Sequence, residues 1–284
     1  MNYYVVIPAH NEAGFLERTL DSLSKQSLLP KKVVVVNDNS SDSTELIIEQ
    51  YASRHDYIFK HNTTSTDTHL PGSKVINAFN QGLSLLDENY DFIVKLDADL
   101  ILPANYFAEI AKAFERDSRI GIAGGFAYEL ENDQWKLNHP MNKDHVRGAF
   151  KAYRKNCFQK IGGLKTSMGW DTVDELLARY HQFEIHTDPS LKVKHLRPTG
   201  KSYHKKARYL QGEAMYKMRY GFLLCLLASL KMSLKQKKLH ILWDNAIGFL
   251  KSWISGKPYM VSKDEGLFIR KYRRDGILKK LASR

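Results

Sequence analysis

The sequence predicts an α/β fold: a mostly parallel sheet covered by helices on both faces, followed by a basic helical C-terminal region. Three observations predict it. Through the first hundred residues, apolar runs of strand length alternate with amphipathic stretches of helix length, the rhythm of strand–helix units in a parallel sheet. The strand runs are apolar throughout, as in Val33-Val34-Val35-Val36, which suits burial on both faces. The net charge of +12 is unevenly spread. Residues 1–194 hold 22 Lys and Arg against 26 Asp and Glu, a net of −4, whereas residues 195–284 hold 21 against 5, a net of +16.

The elements follow in order. Tyr3–Ile7 is a buried strand. Glu12–Ser27 is a helix with Phe15, Leu16, Leu20 and Leu23 at helical spacing. Lys32–Asn37 is the second strand. Ser43–Arg54 is a helix with Asp42 as its N-cap. Tyr57–Lys60 is a short strand, and Lys74–Leu86 a helix with Val75, Phe79, Leu83 and Leu86 on its packed side. Phe92–Leu96 is the next strand. A helix over Asn105–Arg116 and a strand over Ile120–Tyr128 come next, then a polar, turn-rich Glu129–His145 that reads as loop. Gly148–Arg154 is a strand, Asn156–Ile161 a short helix ended by Gly162-Gly163, and Asp171–Tyr180 a helix. Glu184–His195 is a strand region interrupted at Asp188-Pro189. Beyond His204 the pattern is helical and basic to the end.

Composition narrows the function classes. With 43% hydrophobic and 26% charged residues in 284, the chain is globular and long enough to bury a large core. Collagen-like, disordered and disulfide-scaffold readings are excluded. Cys157 and Cys225 match no metal-ligand spacing, and a reduced cytoplasmic setting is expected. The opening residues lack the features of a secretory signal. The longest apolar stretch, Tyr220–Leu230, is eleven residues, against the roughly 20 that span a bilayer, so no transmembrane helix is expected.

Ligands of parallel α/β sheets bind beyond the carboxyl ends of the strands. Three polar clusters stand there: Pro8-Ala9-His10-Asn11-Glu12, Asn37-Asp38-Asn39-Ser40-Ser41-Asp42, and Asp97-Ala98-Asp99. Alternate residues of an extended chain point the same way, so Asp97 and Asp99 can face one ligand. Two close carboxylates repel unless a hard cation joins them, and Mg²⁺ or Mn²⁺ bound by carboxylates and substrate phosphates would do so. A polar turn that caps the next helix is the plainer account of the same residues.

These motifs resemble those of the family 2 glycosyltransferases. The likeness runs through Val36–Asp42, Leu96-Asp97-Ala98-Asp99, Gly162-Gly163-Leu164, Gly169-Trp170-Asp171-Thr172-Val173-Asp174-Glu175 and Lys194-His195-Leu196-Arg197-Pro198, over about residues 1–200. It implies the GT-A fold, a Rossmann-like sheet flanked by helices, and transfer of a sugar from a nucleotide donor (UDP- or GDP-linked) to an acceptor hydroxyl with inversion. It implies that Pro8, Ala9 and Glu12 wrap the donor nucleoside, that Asp38 hydrogen-bonds the base, and that Asp97 and Ala98 lie against the donor. Asp99 becomes the main ligand of a divalent metal, with Asp97 and His195 beside it. Lys74 matches a basic residue near the donor, and Arg197 becomes a partner for the diphosphate. The residue before Asp38 is often acidic in the family; here it is Asn37. Asp171 matches the catalytic aspartate, the second of a Glu-Asp pair whose first member is here Trp170. Glu175, one turn on, is the fallback base. A helix N-cap remains the alternative for Asp171, and core packing or sugar stacking for Trp170.

The implied organisation is a catalytic domain over residues 1–200, with a nucleotide-sugar half (1–100) and an acceptor half (101–200), and a basic amphipathic region over 201–284. Lys231, Lys235, Lys237 and Lys238 among apolar residues there, with Trp253, suit an anionic membrane surface. Packing on the catalytic domain is the alternative. Acceptors would be saccharides or lipid-linked saccharides of the cell envelope, and the protein would be peripheral at the cytoplasmic face. A nucleotidyltransferase that makes a nucleotide sugar is the second reading, disfavoured because Pro8–Glu12 is neither Gly-rich nor basic. A nucleic-acid-binding protein is the third, but charge alone gives only non-specific binding and would leave the acidic clusters unexplained.

Overall fold

Strand β1 (Tyr3–Ala9) is the centre of the sheet, flanked in parallel by β2 (Lys32–Asp38) and β4 (Phe92–Leu96), with β3 (Ile58–Thr63) parallel outside β2. The computed structural model describes residues 1–64, 72–138, 145–197 and 208–282. Within them the sheet has nine strands: β3-β2-β1-β4-β8-β6-β9-β5 with β7 paired to β6. The half formed by β3, β2, β1 and β4 is parallel, as expected. Past β4 the sheet is mixed. β8 (Phe150–Arg154) is antiparallel to β4 and to β6 (Ile120–Glu131), β9 (Glu184–His195) is parallel to β6, and β5 (Leu100–Ile101) is antiparallel to β9. Residues of β1, β2 and β4 are almost all buried, because helices cover both faces. Tyr3 stacks on Phe92 with ring centroids 4.9 Å apart, and its hydroxyl donates to the Leu28 carbonyl at 2.7 Å.

Helix α1 (Leu16–Ser24) is shorter than the Glu12–Ser27 expectation, since the β1–α1 loop is committed to other hydrogen bonds. α2 (Thr44–Arg54) begins at Thr44, whose N–H is taken by Asp42 Oδ1 at 3.0 Å. α3 (Ser73–Leu83) buries Ile76, Ala78, Phe79 and Gly82, so its packed stripe is rotated from Val75, Leu83 and Leu86, which are only half-buried. α4 (Tyr106–Arg116) and α5 (Lys155–Lys160) match their expected ranges closely.

The expected loop at Glu129–His145 is a correction. β6 continues to Glu131 and turns back as β7 (Gln134–Leu137), with Glu131 opposite Gln134. Asn132 and Asp133 make the turn with φ of 49° and 60°, the left-handed pair that a two-residue hairpin requires. Residues 139–144 of that segment lie outside the described residues, as do Pro198 and the 200/201 boundary. The interruption at Asp188-Pro189 is a bulge inside one continuous β9. Gly124 pairs with Thr187 but Phe126 pairs with Lys192, so β9 carries extra residues there. The Leu191 carbonyl then crowds Gly125, where a Cβ would lie 2.1 Å from it; only glycine fits.

The chain divides into two compact units. The first comprises the described residues of Met1–His69, Lys74–Leu164 and His181–Thr199; the second, those of Leu70–Ser73, Lys165–Tyr180 and Gly200–Arg284. The second unit holds α6 (Trp170–Tyr180), α7 (Leu210–Lys217), α8 (Phe222–Gln236), α9 (His240–Ile254) and α10 (Lys263–Ala282). Among the described residues no helix is long and apolar enough to cross a membrane.

Candidate active site

In the first unit, β1 and β4 stay paired only to Val6 and Lys95, whereas β1 follows β2 to Ala9 and Asn37. The strand order reverses at this point, with β2 and β3 on one side of β1 and β4 on the other. Such a switch point opens a crevice beyond the strand ends. Pro8 lies past the split, where the strand has lost one neighbour and a residue without an N–H is tolerated.

The first two clusters form one scaffold. Glu12 N–H donates to Thr44 Oγ1 at 2.7 Å, Ala13 N–H to Asp42 Oδ2 at 3.1 Å, and Ser41 N–H to Asn11 Oδ1 at 2.8 Å. His10 Nδ1 is 2.6 Å from the Asp38 carbonyl, so that nitrogen carries the proton and donates. Asp38 is buried at the end of β2. Asn37, which replaces an acid, donates through Nδ2 to Asn62 Oδ1 at 3.1 Å and so braces β3.

The third cluster turns rather than extends, so its two carboxylates are brought together by a turn and not by strand alternation. Thr19 of α1 clamps it. Its hydroxyl donates to the Ala98 carbonyl at 2.8 Å and accepts from Leu100 N–H at 2.9 Å, both buried. Ala98 is itself buried, so its part is to hold this turn. Leu196 N–H donates to the Asp99 carbonyl at 2.9 Å, tying the end of β9 to the same place.

Asp97 pairs with Lys95, a lysine only 2% exposed beneath the turn. Desolvation pushes the Asp97 carboxyl up; Lys95 opposes this and Asp99 adds to it. Asp99 is buried. Its Oδ2 lies 3.4 Å from His195 Nε2 and 3.9 Å from Arg197 Nε, and its Oδ1 has no hydrogen-bond partner among the described residues. Burial depresses the His195 imidazole, but Asp99 and Asp97 more than offset it and raise it overall. His195 Nδ1 is 3.7 Å from Glu129 Oε1. Glu12 pairs with the Arg197 guanidinium, which also sits 5.0 Å from the Phe15 ring centroid. Desolvation still pushes Glu12 up to about 7, with Asp99 and Asp97 adding to the effect against Arg197.

Glu12, Asp97, Asp99, His195 and Arg197 therefore meet in one crevice. A buried acceptor without a donor costs about 1–3 kcal/mol, and the Glu12 and Asp97 carboxylates are near enough to interact electrostatically with Asp99, so the donor set suits a hard divalent cation. Among the described residues no three His, Cys, Asp or Glu side chains form a ready-made metal cage. Further ligands would have to come from a substrate or water. No ion pair among the described residues joins Lys74, half-buried in the first turn of α3, to Glu12, Asp97 or Asp99.

In the second unit, α6 starts where Gly169, at φ 77°, offers its carbonyl to the N–H groups of Thr172 and Val173. Trp170 is buried, as a packing residue would be. Asp171 is therefore inside the first turn rather than at the N-cap. It is half-exposed, in a place where the helix dipole favours an acid. Asp174 and Glu175 are buried, and Asp174 Oδ1 accepts the Glu175 N–H at 2.6 Å.

A family model described as "Glycosyl transferase family 2" matches residues 4–169, more than half of the chain. The chain belongs to glycosyl transferase family 2. A poly-beta-1,6-N-acetyl-D-glucosamine synthase of Staphylococcus aureus is 28% identical over 120 residues, covering 42% of this chain and 27% of the relative. Its Staphylococcus epidermidis counterpart is 26% identical over the same length. The chain thus spans about a quarter of the length of the curated relatives it matches. Among solved structures, Staphylococcus aureus TarS 1–349 in complex with UDP-GlcNAc matches with TM-score 0.57 and 19% identity over 80% of this chain and 67% of that one. The mannosyltransferase PcManGT from Pyrobaculum calidifontis, in complex with GDP-Man and Mn2+, matches with TM-score 0.53 and 15% identity over 97% and 80%. These likenesses are of fold, and they identify the mixed, curled sheet as that of the GT-A glycosyltransferases. Membership disfavours the nucleotidyltransferase and nucleic-acid readings.

Three residues of this crevice escape a reading by motif. Thr19 interrupts the Leu16, Leu20, Leu23 stripe, and a polar residue on a packed face is a signal that could have found it. Lys95 is a lysine inside an apolar strand run. Glu129 fell in the expected loop; in fact it pairs across β6–β9 with His195 and accepts from Asn138.

Proposed function

We propose that the protein is an inverting glycosyltransferase that moves a sugar from a nucleotide-diphosphate donor to an acceptor hydroxyl. The observation that carries this reading is the buried Asp99 at the β1/β4 switch point, whose Oδ1 has no hydrogen-bond partner among the described residues, whose Oδ2 faces His195, and which interacts electrostatically with Asp97 and Glu12. In this reading residues 1–100 form the donor half and 101–200 the acceptor half. The Pro8–Glu12 loop wraps the nucleoside, with Ala9 closing β1 beside it, and Asp38 accepts from the base. Asp99, with Asp97 and His195, would hold Mg²⁺ or Mn²⁺, which when bound supplies positive charge to the departing diphosphate. Arg197 exchanges Glu12 for a phosphate oxygen, a charge-assisted contact of the same kind; Lys74 would be a further contact. Asp171 accepts the proton of the acceptor hydroxyl while that oxygen attacks the anomeric carbon from the opposite face, and no covalent sugar–enzyme intermediate forms. Glu175 is the fallback base. PcManGT, in complex with Mn2+, supports the choice of metal, and TarS, in complex with UDP-GlcNAc, the class of donor. The staphylococcal poly-beta-1,6-N-acetyl-D-glucosamine synthases support a saccharide acceptor; we propose a cell-envelope or lipid-linked saccharide.

A panel of UDP- and GDP-sugars, assayed with Mn²⁺, Mg²⁺ or chelator, tests this directly: one donor should be bound and slowly hydrolysed only with metal. Formation of a nucleotide sugar from sugar 1-phosphate and nucleoside triphosphate would favour the nucleotidyltransferase instead. Asp38→Ala should weaken binding of the free nucleoside diphosphate about tenfold, the scale of a lost hydrogen bond to a charged group. Equal affinity of wild type and variant for both UDP and GDP would remove Asp38 from the base site.

We further infer that the C-terminal region, where residues 195–284 carry a net of +16, attaches the enzyme to an anionic membrane surface at the cytoplasmic face. Flotation with vesicles should recover more protein on phosphatidylserine-containing bilayers than on phosphatidylcholine alone. Equal recovery would count against charge as the attraction.

A further inference from the structure

Two helices of the second unit, α8 and α9, bury small residues and expose many of their large apolar ones. On α8 the buried face is Cys225, Ser229 and Ser233, spaced four apart. On α9 it is Asp244, Asn245, Ala246, Gly248 and Ser252, together with the ring of Phe249. These small residues allow backbone-close packing: a Cβ on Gly212 would lie 1.9 Å from the Asn245 carbonyl, and one on Gly248 would lie 2.1 Å from that of Tyr209. Many of the large apolar residues are exposed instead. Leu223, Leu227, Leu230 and Leu234 form an exposed stripe along α8, with Leu223 at 71%. Leu239, Trp243, Ile247 and Ile254 do the same along α9, where Trp243 is 67% and Ile254 82% exposed; Trp253 is exposed beside them.

A helix of a water-soluble protein places its apolar stripe inward. Small residues inward and large apolar ones outward is the arrangement of helices that pack in lipid. Exposed Lys231 and Lys235 run along the edge of the leucine stripe, where their stems can lie on acyl chains while the ammonium groups reach the headgroups. Each helix has 15 residues, about 22 Å, short of the ~30 Å hydrocarbon core. We propose that α8 and α9 form a hairpin seated in one leaflet of an anionic bilayer, held by its leucine stripe and by Trp243 and Trp253. This rests on the membrane reading above and changes its physics: attachment comes from buried apolar area, with charge as the lesser part.

The full chain is bound to phosphatidylserine-containing vesicles, floated in low salt and in about 1 M salt, where the Debye length falls to about 3 Å, and its tryptophan emission is read with brominated lipids. The expected result is flotation in both salts and strong quenching that disappears in the Trp243→Phe, Trp253→Phe double variant. Leu223→Ser with Trp243→Ser, two exposed positions whose change leaves circular dichroism unaltered, should lower partitioning about tenfold or more. No flotation in low salt would overturn the membrane reading altogether. Flotation that high salt abolishes, without quenching, would leave the membrane reading standing and overturn the seated hairpin. So would a solution dimer that the Leu223→Ser, Trp243→Ser variant dissociates, because a second copy would then be what covers this face.

Discussion

Asp99→Ala is expected to abolish metal-dependent donor binding, with a loss of roughly a hundredfold or more, because several kcal/mol of charge stabilisation depend on the cation's main protein ligand. The structure sets this apart from damage to the fold. Among the described residues Asp99 Oδ1 has no hydrogen-bond donor to lose, and Oδ2 faces His195 Nε2 at 3.4 Å and Arg197 Nε at 3.9 Å. The turn around it is held by Thr19 through Ala98 and Leu100, and by Leu196 through the Asp99 backbone, none of which the substitution touches. The melting temperature should therefore hold or rise while titration with the preferred nucleotide sugar in Mn²⁺ shows no saturable binding. Wild-type affinity and turnover in Asp99→Ala would remove the metal from this position and leave Asp97-Ala98-Asp99 as a structural turn.

Strand ends were legible because a parallel sheet puts them in one place. Once Val33–Val36 and Phe92–Leu96 are recognised as buried strands, Asp38 and Asp97 must lie at the same edge, and the structure joins that edge to Pro8–Glu12. His195 and Arg197 were legible only as part of a motif, because what brings them to Asp99 is the pairing of β9 with β5 and β6, and β5 is two residues long. Glu129 was lost for a local reason. Asn132 and Asp133 look like loop residues in composition, yet their left-handed backbone is what reverses a hairpin. The antiparallel character of β8 was not legible either; both of its neighbours are apolar, and nothing in Phe150–Arg154 records the direction of the chain. In the second unit the sequence pattern shows amphipathic helices but not which side faces out. The buried face of α8 holds its polar Ser229 and Ser233, not its leucines.

Asp171→Asn should leave donor binding intact and reduce transfer about 10²–10⁴-fold, the usual contribution of a general base. The amide keeps the size of the side chain and its place in the first turn of α6, but it cannot accept a proton at working pH. Of the three acids on this helix, Asp171 is half-exposed, while Asp174 and Glu175 are buried among the packing residues Val173, Leu176 and Leu177. A base must reach an incoming hydroxyl, so exposure supports Asp171, even though the acidic partner expected before it is the buried Trp170. Glu175→Gln is the paired control. It should change transfer by less than Asp171→Asn does, and any loss should track loss of folded protein by circular dichroism. The decisive measurement is single-turnover transfer with saturating donor, read beside donor affinity for each variant. If Glu175→Gln abolishes transfer with donor binding and fold intact, while Asp171→Asn keeps near-normal rates, the base lies one helical turn further on, and the half-exposed position of Asp171 reflects only the preference of a helix N-terminus for an acid.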